Sequence, residues 1–251
     1  MMNKYFISII IFTIITMSCS DDSNYTRNEN SNKVRNDSII LESLNGYRDS
    51  LITLQFENDK RIAELKTNFS FTKRDSQSKS YYHNIWRHPR YIIEGKMLRA
   101  GVDSLGVFFL LSNFTSSSIN LQHDSIKISI DTNEYNLKSD TMLGYLVDLN
   151  NHKEDYLGIQ IWMLVQAIPY QEVKIYSTPE AMNIGRLISE NMDKQIKMTF
   201  FGIRSYTINV SKKEKINIRD CYLLSENIHK SKKIKLEIEK INQQLTKNKR
   251  H

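Results

Sequence analysis

The groups in this chain that can do chemistry are scattered, and their spacing decides what each can do. Six histidines (His83, His88, His123, His152, His229 and His251) form no H-x-H or H-E-x-x-H pair, and two cysteines, Cys19 and Cys221, cannot build a cysteine-rich metal site. The chain also lacks a G-x-S-x-G elbow, a phosphate-cradling glycine loop and a dinucleotide fingerprint, so no cofactor, metal or catalytic residue is assigned. His123, Asp124 and Ser125 are triad residue types side by side, but sequence neighbours do not reach triad geometry on a strand, and they read as a surface turn. Asp148, Glu154 and Asp155 are carboxylates of the kind that hydrolyse glycosides, yet they lie in or beside a polar loop, LNNHKEDY, where carboxylates are ordinary. Cys221 stands in the apolar context CYLL, which favours an inert buried thiol. Binding has one candidate, the aromatic and cationic cluster from Tyr81 to Tyr91. Its Tyr82, Trp86, Arg87 and Arg90 can stack on sugar rings or hold anionic groups, or else only seal one end of a sheet.

Where the chain works is set by its start. Lys4 precedes an apolar run from Tyr5 to Met17, 13 residues long. A membrane helix needs roughly 20 such residues, whereas a secretory h-region needs about 7 to 15 and ends in small residues. The ending here is Thr16-Met17-Ser18-Cys19. It resembles the lipobox of bacterial membrane lipoproteins, with Thr16 and Met17 a loose match to the usual residues. The resemblance implies cleavage before Cys19, acylation of Cys19 and export to the cell envelope, most often to the outer membrane, with a membrane partner through the lipid. Ser20-Asp21-Asp22 looks like the acidic export tag of some surface lipoproteins. An ordinary secretory signal or an uncleaved N-terminal anchor is the alternative.

Charge then narrows the partners. The net charge of +7 falls to +6 without Lys4 of the signal, and residues 226–251 alone carry +5. The rest of an exported chain is close to neutral, so nucleic acid is not expected as a partner. With Cys221 alone after Cys19, the core must be held by packing and not by an intrachain disulfide.

Along the chain, residues 19–37 are polar and are expected to form a lipidated flexible tether, since they cannot bury enough apolar surface to offset ordering entropy. Ile40, Leu44, Tyr47, Leu51 and Leu54 alternate spacings of four and three, which predicts an amphipathic helix over 38–66 with Asp37 or Ser38 as its cap. That helix either docks on its own domain or makes a coiled coil. Residues 67–80 read as a linker, and 81–225 as a β-rich domain. Within it, 91–114 suggests a hairpin around Gly101–Ser104, Ser125–Lys138 a second with a turn at Thr132-Asn133, and Met142–Leu149, Leu157–Ile168 and Glu172–Tyr176 further strands. Thr178-Pro179 opens a helix, residues 195–210 form a closing hairpin, and Ser211 with Glu214 makes a capping box for a short helix toward Leu224. The stretch 226–251 is a basic amphipathic helix or tail with Ile234, Ile238, Ile241 and Leu245 on one stripe, open to docking, membrane contact or solvent.

Five tripeptides begin Asp-Ser or Asp-Thr and end in an aliphatic residue or methionine. They resemble the acceptor motif of a bacterial O-glycosylation system, which implies glycans on Ser38, Ser50, Ser104, Ser125 and Thr141. Asp-Ser and Asp-Thr are equally common caps and turn starters. The fold class expected is α+β: an antiparallel sheet or sandwich, an N-terminal amphipathic helix, one or two short late helices and a basic C-terminal helix. The function expected is binding or scaffolding in the bacterial envelope, with an envelope protein or glycan as partner, or self-association through residues 40–65 and 234–245. The alternative is a surface hydrolase or a glycan- or peptide-binding component of a nutrient-uptake system.

Overall fold

A computed structural model describes residues 29–74, 78–86, 95–116, 118–139 and 170–248. Among them are three α-helices and nine strands in two antiparallel sheets, an α+β fold. The helices are α1 (Glu29–Lys66), α2 (Pro179–Glu190) and α3 (Lys212–Asn248). The strands are β1 (Phe69–Arg74), β2 (Ser78–His83), β3 (Met97–Asp103), β4 (Phe108–Ser116), β5 (Ser125–Ile130), β6 (Asn133–Lys138), β7 (Tyr170–Tyr176), β8 (Ile196–Phe201) and β9 (Ser205–Asn209). One sheet runs β1-β2-β3-β4-β7 and the other β6-β5-β8-β9.

The chain divides into two compact units, and α1 and α3 contribute to both. The smaller combines the beginning of α1, through Arg48, with the end of α3 from Ile241. Its buried apolar residues include Ile241 and Leu245, while Ile39, Ile40 and Tyr47 stay exposed. The segment from Glu29 to Asn36, expected as tether, is helical. Once the later turns of α1 are nucleated, each polar residue added before them gains a helical hydrogen bond without a new nucleation cost.

The larger unit, Asp49–Lys240, holds both sheets and the main core. Period-two alternation builds it: Ile126, Ile128 and Ile130 of β5 are buried, as are Ile196, Met198 and Phe200 of β8. From the other sheet come Leu98, Ala100 and Val102 of β3 and Leu110 and Phe114 of β4. Phe114 meets Phe200 and Tyr206 edge-on, with ring centroids 5.4 and 5.5 Å apart, so the inner faces of the two sheets share one core. α2 adds Ile184 and Ile188, and α3 adds Ile218, Cys221 and Leu224.

Several local signals act as read. The Thr178 hydroxyl accepts from the Ala181 N–H at the start of α2, with Pro179 in the first turn. Ser211 and Glu214 form the reciprocal box, the Ser211 N–H donating to Glu214 Oε2 at 2.6 Å. Three expectations are corrected. Residues 67–80 contain β1 and the start of β2, since backbone pairing of Phe69–Arg74 with Ser78–His83 makes strands of a polar sequence. The helix opened by Ser211 does not stop near Leu224 but runs to Asn248, since no glycine or proline interrupts it. On α1, Leu51 and Asn58 are buried at 4% and 3% exposure while Leu54 is 44% exposed, so the covered line is narrower than the predicted stripe.

β3 pairs along its length with β4, but with β2 only at Asp103 and Val102. Toward β2, the remaining edge of β3 is closed by side chains of α3. Glu214 Oε1 accepts the Leu98 N–H at 2.7 Å, and Asn217 both accepts the Ala100 N–H at 2.7 Å and donates to the Ala100 carbonyl at 3.3 Å. A buried backbone group left unpaired costs about 1–3 kcal/mol, so these contacts replace what a strand would supply. Farther along α3, the Ser225 hydroxyl donates to the Gly106 carbonyl at 2.6 Å. Gly106 has φ +87°, and a Cβ there would lie 2.5 Å from Ile228, so the β3–β4 turn docks on the helix only as glycine. We expect Asn217→Ala to cost about 2–4 kcal/mol in denaturant unfolding, and Asn217→Asp to cost at least as much at neutral pH, because it buries a carboxylate oxygen against the Ala100 carbonyl. Equal and negligible losses in both variants would show that the helix does not close this edge.

Candidate functional site

The crossover from β4 to β5 carries the chain from one sheet to the other, and a single carboxylate organises it. Glu172 of β7 accepts the backbone N–H groups of Leu121 and Gln122 on Oε1 at 2.9 and 2.6 Å, and that of His123 on Oε2 at 2.7 Å. Oε2 also faces His123 Nδ1 at 2.7 Å. Three successive N–H groups converge on one group only where the backbone curls, and Gln122 has φ +50° for that purpose. Burial pushes the Glu172 carboxyl up, but its hydrogen bonds with the His123 side chain and with the His123 and Gln122 N–H groups outweigh this and hold it below the usual range.

The chain of polar groups continues inward. His123 Nε2 lies 2.8 Å from Ser112 Oγ, which lies 3.0 Å from the Tyr176 hydroxyl. An ionised Glu172 only accepts, so Nδ1 carries the proton of a neutral imidazole; in that form Nε2 accepts from Ser112, and Ser112 accepts from Tyr176. Hydroxyl, imidazole and carboxylate thus stand in the order of an acyl-transfer triad. Access is what it lacks. Ser112, His123 and Tyr176 are each 0% exposed, and Ser112 sits mid-strand, paired with Leu98 on one side and Lys174 on the other. Its backbone neighbours are committed to the ladder, so no pair of free N–H groups surrounds Oγ to receive an oxyanion. The arrangement can polarise hydrogen bonds across the core, but it offers Ser112 Oγ to no substrate.

His123 is therefore a core residue, in contrast to the surface turn expected of His123-Asp124-Ser125. Asp124 is exposed and accepts from the Ser125 hydroxyl at 2.7 Å. Ser112 and Glu172 carry no motif. Their only sequence signal is parity: Ser112 falls between Leu110 and Phe114 at spacing two, which places a hydroxyl on the buried face of an apolar strand.

A second polar pair sits where the aromatic cluster begins. His83 is buried, accepts the Ile85 N–H on Nδ1 at 3.1 Å, and therefore donates from Nε2 to Asp220 Oδ2 at 3.0 Å. Arg219 donates to Oδ1 of the same carboxylate at 2.8 Å. Burial raises the Asp220 carboxyl, and the His83 and Arg219 contacts more than reverse that. His83 thus pins the end of β2 to α3. Tyr82 lies in β2 opposite Ser70 and Trp86 ends a 3-10 turn, while Arg87 and Arg90 lie outside the described residues.

Of the glycan acceptor candidates, Ser50 is exposed on α1 and Ser104 on the β3–β4 turn. Ser125 is half-buried in β5 between β6 and β8, and Ser38 lies in α1. Thr141, Asp148, Glu154, Asp155, Cys19 and the strand candidates 142–149 and 157–168 lie outside the described residues. Cys221 is fully buried, which pushes its thiol well above the usual value, with Asp220 adding to the effect. Ile234, Ile241 and Leu245 are buried, so the stripe of residues 234–245 is covered within the chain itself. Among the described residues no group of three or more His, Cys, Asp or Glu is placed to hold a metal ion, and no helix is long and apolar enough to cross a membrane. No family model, curated protein or solved structure matches the chain.

Because the Glu172 pKa is depressed by folding, its contribution to stability is fully present above the ordinary glutamate value of about 4.5 and is lost as pH falls through the depressed value. We expect Glu172→Ala to lose about 3 kcal/mol at neutral pH, and its deficit against the native protein to shrink on acidification as that carboxylate is protonated. A deficit unchanged by acid in paired urea titrations would show that the Glu172 charge plays no part.

Proposed function

We propose that the protein is a lipoprotein of the bacterial cell envelope, held to a membrane, most often the outer one, by acylation of Cys19, and that it acts by binding or scaffolding. One observation carries this reading: an apolar run from Tyr5 to Met17, too short to span, ends at Ser18-Cys19. Acyl chains contribute about 0.8 kcal/mol per buried CH₂, so several together give firm anchorage without a membrane helix. The core supports binding over catalysis, because the polar groups at Ser112, His123, Glu172 and Asp220 are engaged in joining elements of the fold. An envelope protein, a glycan or a second copy fits as partner, and exposed Ser50 and Ser104 are the acceptor candidates a glycan-transferring enzyme reaches most directly.

In native membranes we expect the N-terminal peptide to begin at acylated Cys19, and Cys19→Ala to retain residues 1–18 and lose its acyl mass. An unmodified Cys19 behind an intact leader would sink the anchoring reading.

A second reading, a hydrolase, is favoured by the order Ser112, His123, Glu172 at 2.8 and 2.7 Å. A fluorophosphonate probe applied to the intact protein separates the two. We expect no adduct on Ser112, whereas labelling that disappears in Ser112→Ala would replace binding with acyl-transfer chemistry.

A further inference from the structure

The two sides of the last helix have opposite characters. Ile234, Ile241 and Leu245 are buried at 5–6% exposure. Lys233, Lys240 and Lys247 are exposed and recur every seven residues, which aligns them on one line, roughly 100° or more around the helix from the buried stripe. The line is about 21 Å long. Leu236, 57% exposed, lies on the same side, and Lys230, one turn before Lys233, extends the basic surface. Two acids flank the line: Glu237, partly exposed, stands one turn from both Lys233 and Lys240, and Glu239 is exposed on the other flank. A basic amphipathic helix normally turns its apolar stripe to the bilayer. That mode is closed because the stripe is already covered, which leaves contact through lysine headgroups as the route to a membrane.

The chain also brings this surface to the place where a membrane would be. The end of α3 forms one unit with α1 from Glu29 to Arg48, and nine residues lie between Cys19 and Glu29. The ten Cα-to-Cα steps from one to the other reach at most about 35 Å when fully extended. An acyl group on Cys19 therefore keeps the start of α1, and with it the unit containing Lys247, close to the lipid surface.

We propose that Lys233, Lys240 and Lys247 of α3 rest on an anionic lipid surface, so that the acyl anchor and the lysine line together orient the protein on its membrane. The proposal builds on the anchoring reading above. Each lysine near an anionic surface favours the bound orientation by about fivefold, and exposed Leu236 can sit among the headgroups between the cations. An anchor alone gives one flexible point of attachment; the lysine line adds a second, salt-sensitive one.

The test uses the full acylated protein, purified from membranes and reconstituted in vesicles of phosphatidylcholine alone or of phosphatidylcholine with phosphatidylglycerol. Amine-reactive labelling of Lys233, Lys240 and Lys247 is read by peptide mass. We expect labelling several-fold slower in the anionic vesicles, with the difference abolished at about 1 M salt, where the Debye length falls to about 3 Å. The triple variant Lys233→Glu, Lys240→Glu, Lys247→Glu should stay attached through its acyl group, while Lys230, one turn before Lys233, loses its protection. Equal labelling in both vesicles, or protection that persists in high salt, overturns the proposal. The same digest reports the N-terminal peptide: acylated Cys19 with equal labelling sinks only this inference, whereas unmodified Cys19 sinks the anchoring reading and this one with it.

Discussion

The open edge of β3 is the constraint on which the rest of the larger unit depends. A strand buried on both faces cannot leave its N–H groups unpaired, yet β2 covers only its last residues. α3 answers with side chains in place of a strand. Glu214 and Asn217, three positions apart on one helix face, reach Leu98 and Ala100, two positions apart on one strand edge. The same face then takes His83 through Asp220 and the β3–β4 turn through Ser225. One helix thus fixes an edge, a strand end and a turn, which is why its polar residues are buried and its continuity matters.

Glu172 does for the second sheet what α3 does for the first. The crossover into β5 follows no regular ladder, so its N–H groups need a dedicated acceptor, and an ionised carboxylate is the strongest available. His123 inherits its tautomer from that carboxylate and passes the polarity to Ser112 and Tyr176. Triad distances arise here from the need to satisfy buried polar groups between sheets. Catalysis asks in addition for an exposed nucleophile and free donors beside it, and Ser112, closed in mid-strand, has neither.

What the residues revealed in advance was local. Thr178 with Pro179, Ser211 with Glu214, and the alternation of Ile126, Ile128 and Ile130 each act through neighbours a few positions away, and each appears where its chemistry placed it. The α+β class followed from such pieces. Ser112, His123 and Glu172 meet only after two sheets have formed, so no spacing announces them. β1 was hidden by its polar composition, and so was the start of α1, because a helix extends through polar residues once its later turns are nucleated. The buried line of α1 was nearly legible, but a single packing row covers Leu51 and leaves Leu54 outside.

Buried and exposed faces of α3 divide the work between them: polar and apolar groups inside hold the sheets, and lysines outside meet whatever surrounds the protein. Everything proposed for the exposed face presumes that the inner one is firmly seated. Backbone hydrogen exchange at Leu98 and Ala100 measures that seating directly. Side-chain closure of the β3 edge requires both amides to exchange as slowly as strand-paired Val102. Fast exchange at Leu98 and Ala100 beside a protected Val102 would contradict it, leaving β3 an open edge and α3 a helix that merely lies nearby.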